Sequence, residues 1–132
     1  IYPDKVILDN NGLWQWLVSE IGCKGFNNAA TPILPESYED DKTHKTNYKN
    51  LKTQCYFHLR DFIKHIKMND ITYKQSMVKE LEVIMQIKIG EDWPLQIRAK
   101  KDSRKKIGRS PDFADCIMMR MYFEISKTTT KW

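Results

Sequence analysis

The first 26 residues restrict the fold more than any other stretch. Val6-Ile7-Leu8 is a short apolar run, and Asp9-Asn10-Asn11-Gly12 behind it is turn chemistry. Leu13, Leu17 and Ile21 then recur every four residues, with Trp14 and Val18 alongside, which spells an amphipathic helix that Gly22 ends. Lys24-Gly25-Phe26 reads as a second short strand. Two strands joined by a crossover helix run parallel, so the expected class is α/β with a β-α-β start.

Residues 27–46 hold Asn27-Asn28, Pro32, Pro35 and the acidic stretch from Glu36 to Asp41, and read as a long loop. A helix is expected from about Asn47 to Lys67, with Leu51, Cys55, Leu59, Phe62 and Ile66 as its apolar stripe and Ile63 adjoining. Thr72 to Leu81 reads as a further short helix. Val83–Ile89 and Leu95–Ala99 flank the turn Gly90-Glu91-Asp92 and read as an antiparallel hairpin. The last helix is expected from Pro111 to about Ile125, followed by a frayed tail over 126–132.

Charge is concentrated ahead of that last helix. The 132 residues carry a net charge of +5. From Arg98 to Arg109 seven Lys/Arg face one acid, Asp102, so this window alone holds +6 and the remainder is close to neutral. Focused positive charge favours an anionic partner over general solubility. The basic run flows into Gly108-Arg109-Ser110-Pro111-Asp112-Phe113-Ala114-Asp115-Cys116, where Ser110 can serve as N-cap and Pro111 as first helical residue. Asp112 and Asp115 are three apart and share one face. Cations beside paired carboxylates are what metal-assisted chemistry on a phosphate backbone requires, so nucleic acid is the first partner to consider.

Each of these residues has a plainer account. Asp9 closes the first strand, at the edge where open α/β sheets bind ligands, but Asp-Asn-Asn-Gly also makes an Asx turn or helix cap unaided. The helix dipole favours Asp112 by about 0.3–1 kcal/mol. Asp115 lies beyond the expected first turn, among Ala114, Cys116 and Ile117, where an unpaired carboxylate is costly; a bound cation or a basic partner would offset that cost. Lys/Arg-rich loops are often solvated surface. His44, His58 and His65 form no ligand spacing, and His58 and His65, in the long helix, are expected as ordinary surface or satisfied histidines. Trp14, Trp16 and Trp93 are expected to pack rather than stack on bases. There is no phosphate-binding glycine loop, no G-x-S-x-G and no Cys/His nucleophile pair.

Three pieces together resemble the nuclease domain of the large terminase subunit of tailed bacteriophages. They are Val6-Ile7-Leu8-Asp9 with the following Asn-Asn-Gly and helix, the central helices with their hairpin, and Gly108 to Met119. The last looks like the family's "GRSPDxADA" followed by apolar residues, with Cys116 where a small Ala is usual. The match runs from about Pro3 to Phe123. It implies an RNase H-like nuclease fold, incomplete at its N-terminus, over 1–125. It also implies an endonuclease that cuts concatemeric phage DNA during genome packaging, in the cytoplasm of an infected or lysogenic bacterial host.

The family's metal site takes one acid from the first strand, one from a later strand and one from the C-terminal helix. Carried over, Asp9 matches the second, Asp115 the third, and Asp112 an auxiliary position. The cofactor implied is a pair of Mg2+ or Mn2+ ions, suited to oxygen ligands. Lys101, Arg104, Lys105, Lys106 and Arg109 would hold the backbone of double-stranded DNA. The first-strand acid has no counterpart here. The chain opens at Ile1 without Met, so the expectation is that this strand lies upstream, after an ATPase domain, and that this piece alone cleaves weakly or not at all. The portal and small terminase subunit are the further implied partners.

Two other readings stand beside this one. One is another RNase H-like nuclease, of resolvase or transposase type, although the basic Gly-Arg-Ser-Pro favours terminase. The other is a non-enzymatic DNA-binding or assembly module in which Asp9 is a cap and Asp112 and Asp115 pair with Lys or Arg. Cys23, Cys55 and Cys116 show no zinc pattern, and an odd number without a signal peptide points to a reducing compartment. No apolar run approaches the roughly 20 residues of a membrane span, and no membrane is expected.

Overall fold

The β-α-β start is present in the computed structural model, which describes residues 2–34, 47–69, 71–87, 90–91 and 94–129. β1 (Ile7–Asp9) pairs in parallel with β2 (Lys24–Phe26), with Ile7 opposite Lys24 and Asp9 opposite Phe26. A 3-10 turn over Gly12–Trp14 leads into α1 (Gln15–Ile21), which returns the chain to the same end of the sheet. Gly22, at φ 69°, ends α1 in the left-handed region, and its N–H donates to the Val18 carbonyl at 3.0 Å. Only glycine adopts that conformation without steric cost.

The apolar side of α1 is not buried as its periodicity predicts. Leu13 is 84 % exposed, and Trp14 and Trp16 are 55 % and 64 % exposed, so these tryptophans do not pack in the core of this chain. No described element covers that side of α1. Trp93 and His44, and the acidic stretch from Glu36 to Asp41, lie outside the described residues.

The core sits instead between α2 (Leu51–Phe62) and α5 (Asp112–Thr129). Leu51, Cys55, Tyr56 and Leu59 from α2 meet Ala114, Met118, Met121 and Ile125 from α5, and Phe26 of β2 closes the cluster. The α5 set recurs at four, three and four residues, the stripe of a helix with one face against its neighbours. Burial pushes the Cys55 thiol up to about 12. α2 starts later than expected because Asn50 caps it, its Oδ1 accepting the Thr53 N–H at 2.9 Å. Residues 47–49 instead run beside Leu95, as a parallel bridge at Tyr48 and hydrogen bonds either side of it. The helix gives way at Ile63–His65 to a 3-10 turn, short of the expected Lys67.

α3 (Ile71–Glu82) matches the expected short helix. Among the described residues the hairpin has two residues to a strand: β3 (Gln86–Ile87) pairs antiparallel with β4 (Gln96–Ile97), and residues 88–89 and 92–93 of the expected hairpin lie outside them. Two differences matter for the site. The basic run is not a loop but a helix, α4 (Lys100–Ile107), ended by Gly108 at φ 72° with its N–H on the Arg104 carbonyl at 2.8 Å. It has no apolar stripe to announce it, yet Lys and Arg are good helix formers and favour a helix C-terminus. α5 also continues past Ile125 to Thr129, where a frayed tail was expected; Glu124 pairs with Arg120 at 2.8 Å and with Lys127 at 3.5 Å across these last turns.

Gly25 tests the β-α-β packing directly. A Cβ there would lie 2.9 Å from Cγ of Asn10. Gly25→Ala should therefore destabilise by about 1–3 kcal/mol in urea denaturation. Adding Asn10→Ala should recover only part of the loss, because the Asn10 Cβ would still lie 3.1 Å away; an unchanged midpoint in the single variant would mean the contact is not tight.

Candidate functional site

Asp115 and Asp112 both lie in the first turn of α5, yet their surroundings are opposite. The Asp115 side chain is 16 % exposed and that of Asp112 is 73 % exposed. Asp115 faces α2 and the start of α4. Lys52 Nζ is 3.0 Å from its Oδ1, Lys100 Nζ is 2.5 Å from its Oδ2, and the Tyr56 hydroxyl donates to Oδ1 at 2.8 Å. Lys100 also lies 3.7 Å from Asp112, so it bridges the two acids. Of the two ways to offset a buried carboxylate, the chain itself supplies the basic partner.

The electrostatics follow from this geometry. Burial alone pushes the Asp115 carboxyl up, but the hydrogen bond from Lys100, the Lys52 charge and hydrogen bond, and the Tyr56 hydroxyl outweigh it. Its pKa falls below the usual carboxylate range and the group stays ionised. Tyr56 is pushed well above its ordinary value, by burial first and then by the Asp115 charge and hydrogen bond. It stays protonated and acts as a donor.

The start of α5 is held by an acid from another helix. Helix residues begin at Asp112, and the Pro111 carbonyl accepts the Asp115 N–H at 3.0 Å. The helix therefore starts one residue later than the Ser110 cap and Pro111 start expected from sequence. The Ala114 N–H is taken by Oε2 of Glu80, on α3, at 2.9 Å, and Oε1 of Glu80 pairs with Arg109. A charged acceptor makes a stronger bond there than a serine hydroxyl. Glu80 has no solvent exposure.

The predicted residues divide into two groups. Asp112 and Asp115 come together through Lys100. Asp9 stands at the end of β1, against which α5 packs, and its Oδ1 accepts the Asn11 N–H at 3.0 Å, an Asx-turn contact. Among the described residues no hydrogen bond or ion pair joins Asp9 to Asp115, and no three His, Cys, Asp or Glu side chains converge as a metal group. The donor chemistry of Asp9, Asp112 and Asp115 suits a hard divalent cation, but among the described residues they do not converge as a set of three ligands.

Lys101, Arg104 and Lys105 are exposed on α4 without an ion-pair partner among the described residues. Lys106, also exposed, has its Nζ 3.1 Å from the Met85 sulfur. Arg109 is engaged within the chain, on Glu80 and 5.8 Å above the Phe113 ring. His58 stacks on Phe62 with rings 6.2 Å apart, and His65 lies beside the same ring.

Sequence reasoning missed Lys52, Tyr56, Lys100 and Glu80. The first two sit on the face of α2 that meets α5, four apart, which is the one local signal they give. Lys100 was inside the basic run but not distinguished from it.

Replacing Asp115 by Asn leaves Lys52 without its carboxylate and Lys100 with Asp112 alone, at 3.7 Å. The expected loss is about 1–3 kcal/mol near neutral pH. The sign with pH follows from the lowered pKa. The folded carboxyl binds fewer protons than the unfolded one, so its contribution is present above the ordinary value of about 4 and is lost as pH falls through the folded value. Urea denaturation from neutral to acid pH should show the wild type and Asp115→Asn converging at low pH. Parallel curves would rule out a stabilising role for the ionised group.

No protein-family profile matches this sequence, and no curated protein matches it. Solved structures do. The nuclease domain of the large terminase subunit gp2 of bacterial virus Sf6 superposes with a TM-score of 0.65 at 19% identity, covering 89% of this chain and 64% of that one. A mutant of that domain with manganese gives a TM-score of 0.64 at 18% identity, covering 89% and 65%. A mutant with calcium gives 0.64 at 20% identity, covering 89% and 64%. This chain thus spans somewhat under two thirds of the length of the domains it matches. With its parallel β-α-β start, its α2–α5 core and its hairpin, the chain has the RNase H-like fold of the terminase nuclease domain.

Proposed function

We propose that this chain is the main part of a DNA endonuclease domain that cuts concatemeric phage DNA during genome packaging. The observation that carries the reading is Asp115. It is an ionised, largely buried carboxylate beside an exposed basic helix, in a fold shared with terminase nuclease domains.

Asp9 and Asp115 would hold Mg2+ or Mn2+, with Asp112 as an auxiliary ligand. Such ions, when bound, polarise a phosphodiester and favour attack by water. The chain's own residues set the rest of the site. Tyr56 keeps Asp115 ionised and oriented. Lys52 and Lys100 neutralise it, and Lys100 is shared between Asp115 and Asp112. Lys101, Arg104, Lys105 and Lys106 would grip the phosphates of double-stranded DNA without reading sequence. Arg109 would contribute to that surface only from its seat on Glu80. The ATPase domain, portal and small subunit are the partners this reading brings, and the bacterial cytoplasm is its location.

A second reading has its own support. Asp115 already has basic partners and Asp9 already makes an Asx turn, which is what a non-enzymatic DNA-binding module needs. Manganese separates the two. On the nuclease reading, titrated Mn2+ should broaden amide NMR signals around residues 9–11 and 112–116 first, and Asp9→Asn with Asp115→Asn should abolish this. Broadening confined to other acidic segments would sink the metal site and leave the module.

DNA contact is tested separately. Binding should weaken linearly in log–log form with salt, and each of Lys101, Arg104 and Lys105 changed to Ala should lower the slope by about 0.9. An unchanged slope in the triple variant would place the DNA elsewhere.

A further inference from the structure

Glu80 is a fully buried acid on a helix that carries none of the predicted site residues. Its two oxygens serve two different places. One binds Arg109, in the bend after α4; the other accepts the Ala114 N–H, one residue before Asp115. Both contacts lie after Gly108, at φ 72° with open space around it, a pivot that does not by itself fix the angle between α4 and α5; Glu80 thus ties the α5 side of that pivot to α3, while Ser103 of α4 donates to the Val83 carbonyl just past α3 at 3.4 Å. That angle matters because Lys100 starts α4 and Asp115 lies in the first turn of α5. Their 2.5 Å contact depends on how the two helices are set against each other. Phe113 adds to the clamp from below, 5.5 Å from Tyr73 of α3 and under the Arg109 guanidinium.

Stability alone does not account for such a residue. An apolar side chain of similar volume commonly stabilises a buried site as well as an ion pair does. What a carboxylate adds is direction, since it fixes a guanidinium and a helix N-terminus at once.

We propose that Glu80 is a positioning residue for Asp115: it sets the first turn of α5 against α4 so that Lys52, Lys100 and Tyr56 converge on that carboxylate. Arg109 is then the outer half of this clamp rather than a free phosphate ligand. The proposal deepens the nuclease reading but does not need cleavage for its test, so either can fail without the other.

The readout is the 15N NMR signals of the Lys52 and Lys100 ammonium groups, which are visible when hydrogen bonding slows their exchange. In the wild-type chain both should be seen and should vanish in Asp115→Asn. In Glu80→Ala both should be lost while amide dispersion shows a folded chain. In Glu80→Gln, which keeps an oxygen for the Ala114 N–H, they should return. Met121→Ala, a core change remote from the bend, should lower stability and keep them. Should Glu80→Ala fail to fold, Glu80→Asp carries the test, because its shorter arm cannot reach both partners; there too the signals should be lost. The proposal is overturned by wild type without these signals or by folded Glu80→Ala or Glu80→Asp that retains them. Absence of rescue in Glu80→Gln, or equal loss in Met121→Ala, overturns it as well.

Discussion

A negative charge placed out of water needs donors aimed at it, and in this chain the need is greatest at Asp115. Its two oxygens receive Lys52 and Tyr56 from α2 and Lys100 from α4. A carboxylate left unpaired at such a depth would cost several kcal/mol or become protonated. Satisfying it fixes how α2 and α4 approach α5. The apolar stripe of α5 supplies the driving force for that packing, but an apolar stripe tolerates sliding and rotation that three convergent donors do not.

The same end of α5 holds a second buried acid. Glu80 and Asp115 lie on opposite sides of Ala114, one bound to its N–H and the other next in sequence. Each has its own cation, Arg109 for Glu80 and the two lysines for Asp115. Like charges this near a helix start would repel if unscreened; divided between separate basic partners, both remain compatible with the positive end of the helix dipole. The basic run is therefore not uniform. Lys100 and Arg109 are engaged by carboxylates, while Lys101, Arg104 and Lys105 between them stay exposed without one among the described residues.

The other end of the molecule is built more lightly. The parallel sheet has two strands among the described residues, and α1 presents Leu13, Trp14 and Trp16 to solvent. A two-stranded sheet draws its stability from what packs on it, and here that is Phe26 against the α2–α5 core. Asp9 ends the strand, β1, that packs on α5.

Much of this was legible in the sequence because it is local. A glycine after an amphipathic run and apolar residues recurring at helical spacing are set by bonds and sterics within a few residues. They gave the β-α-β start, α2, α3, the hairpin and α5, and the resemblance to terminase nucleases gave the fold around them. The basic helix α4 escaped because it has no apolar side to give it a period. The exposed face of α1 misled because an amphipathic pattern records that a face is apolar and not what covers it.

What the sequence by itself determined was most of the inventory: the parallel strand pair and the glycine that ends α1, the presence of α2, α3, the hairpin and α5, and that Asp112 and Asp115 open a helix behind a dense positive charge. What only the tertiary structure decided was the pairing. Tyr56 lies 59 residues from Asp115, and Glu80 lies 34 from Ala114. At such separations no local geometry selects one lysine or glutamate from the many in the chain. The choice is made when helices pack and each buried charge must find a donor or acceptor within about 3 Å.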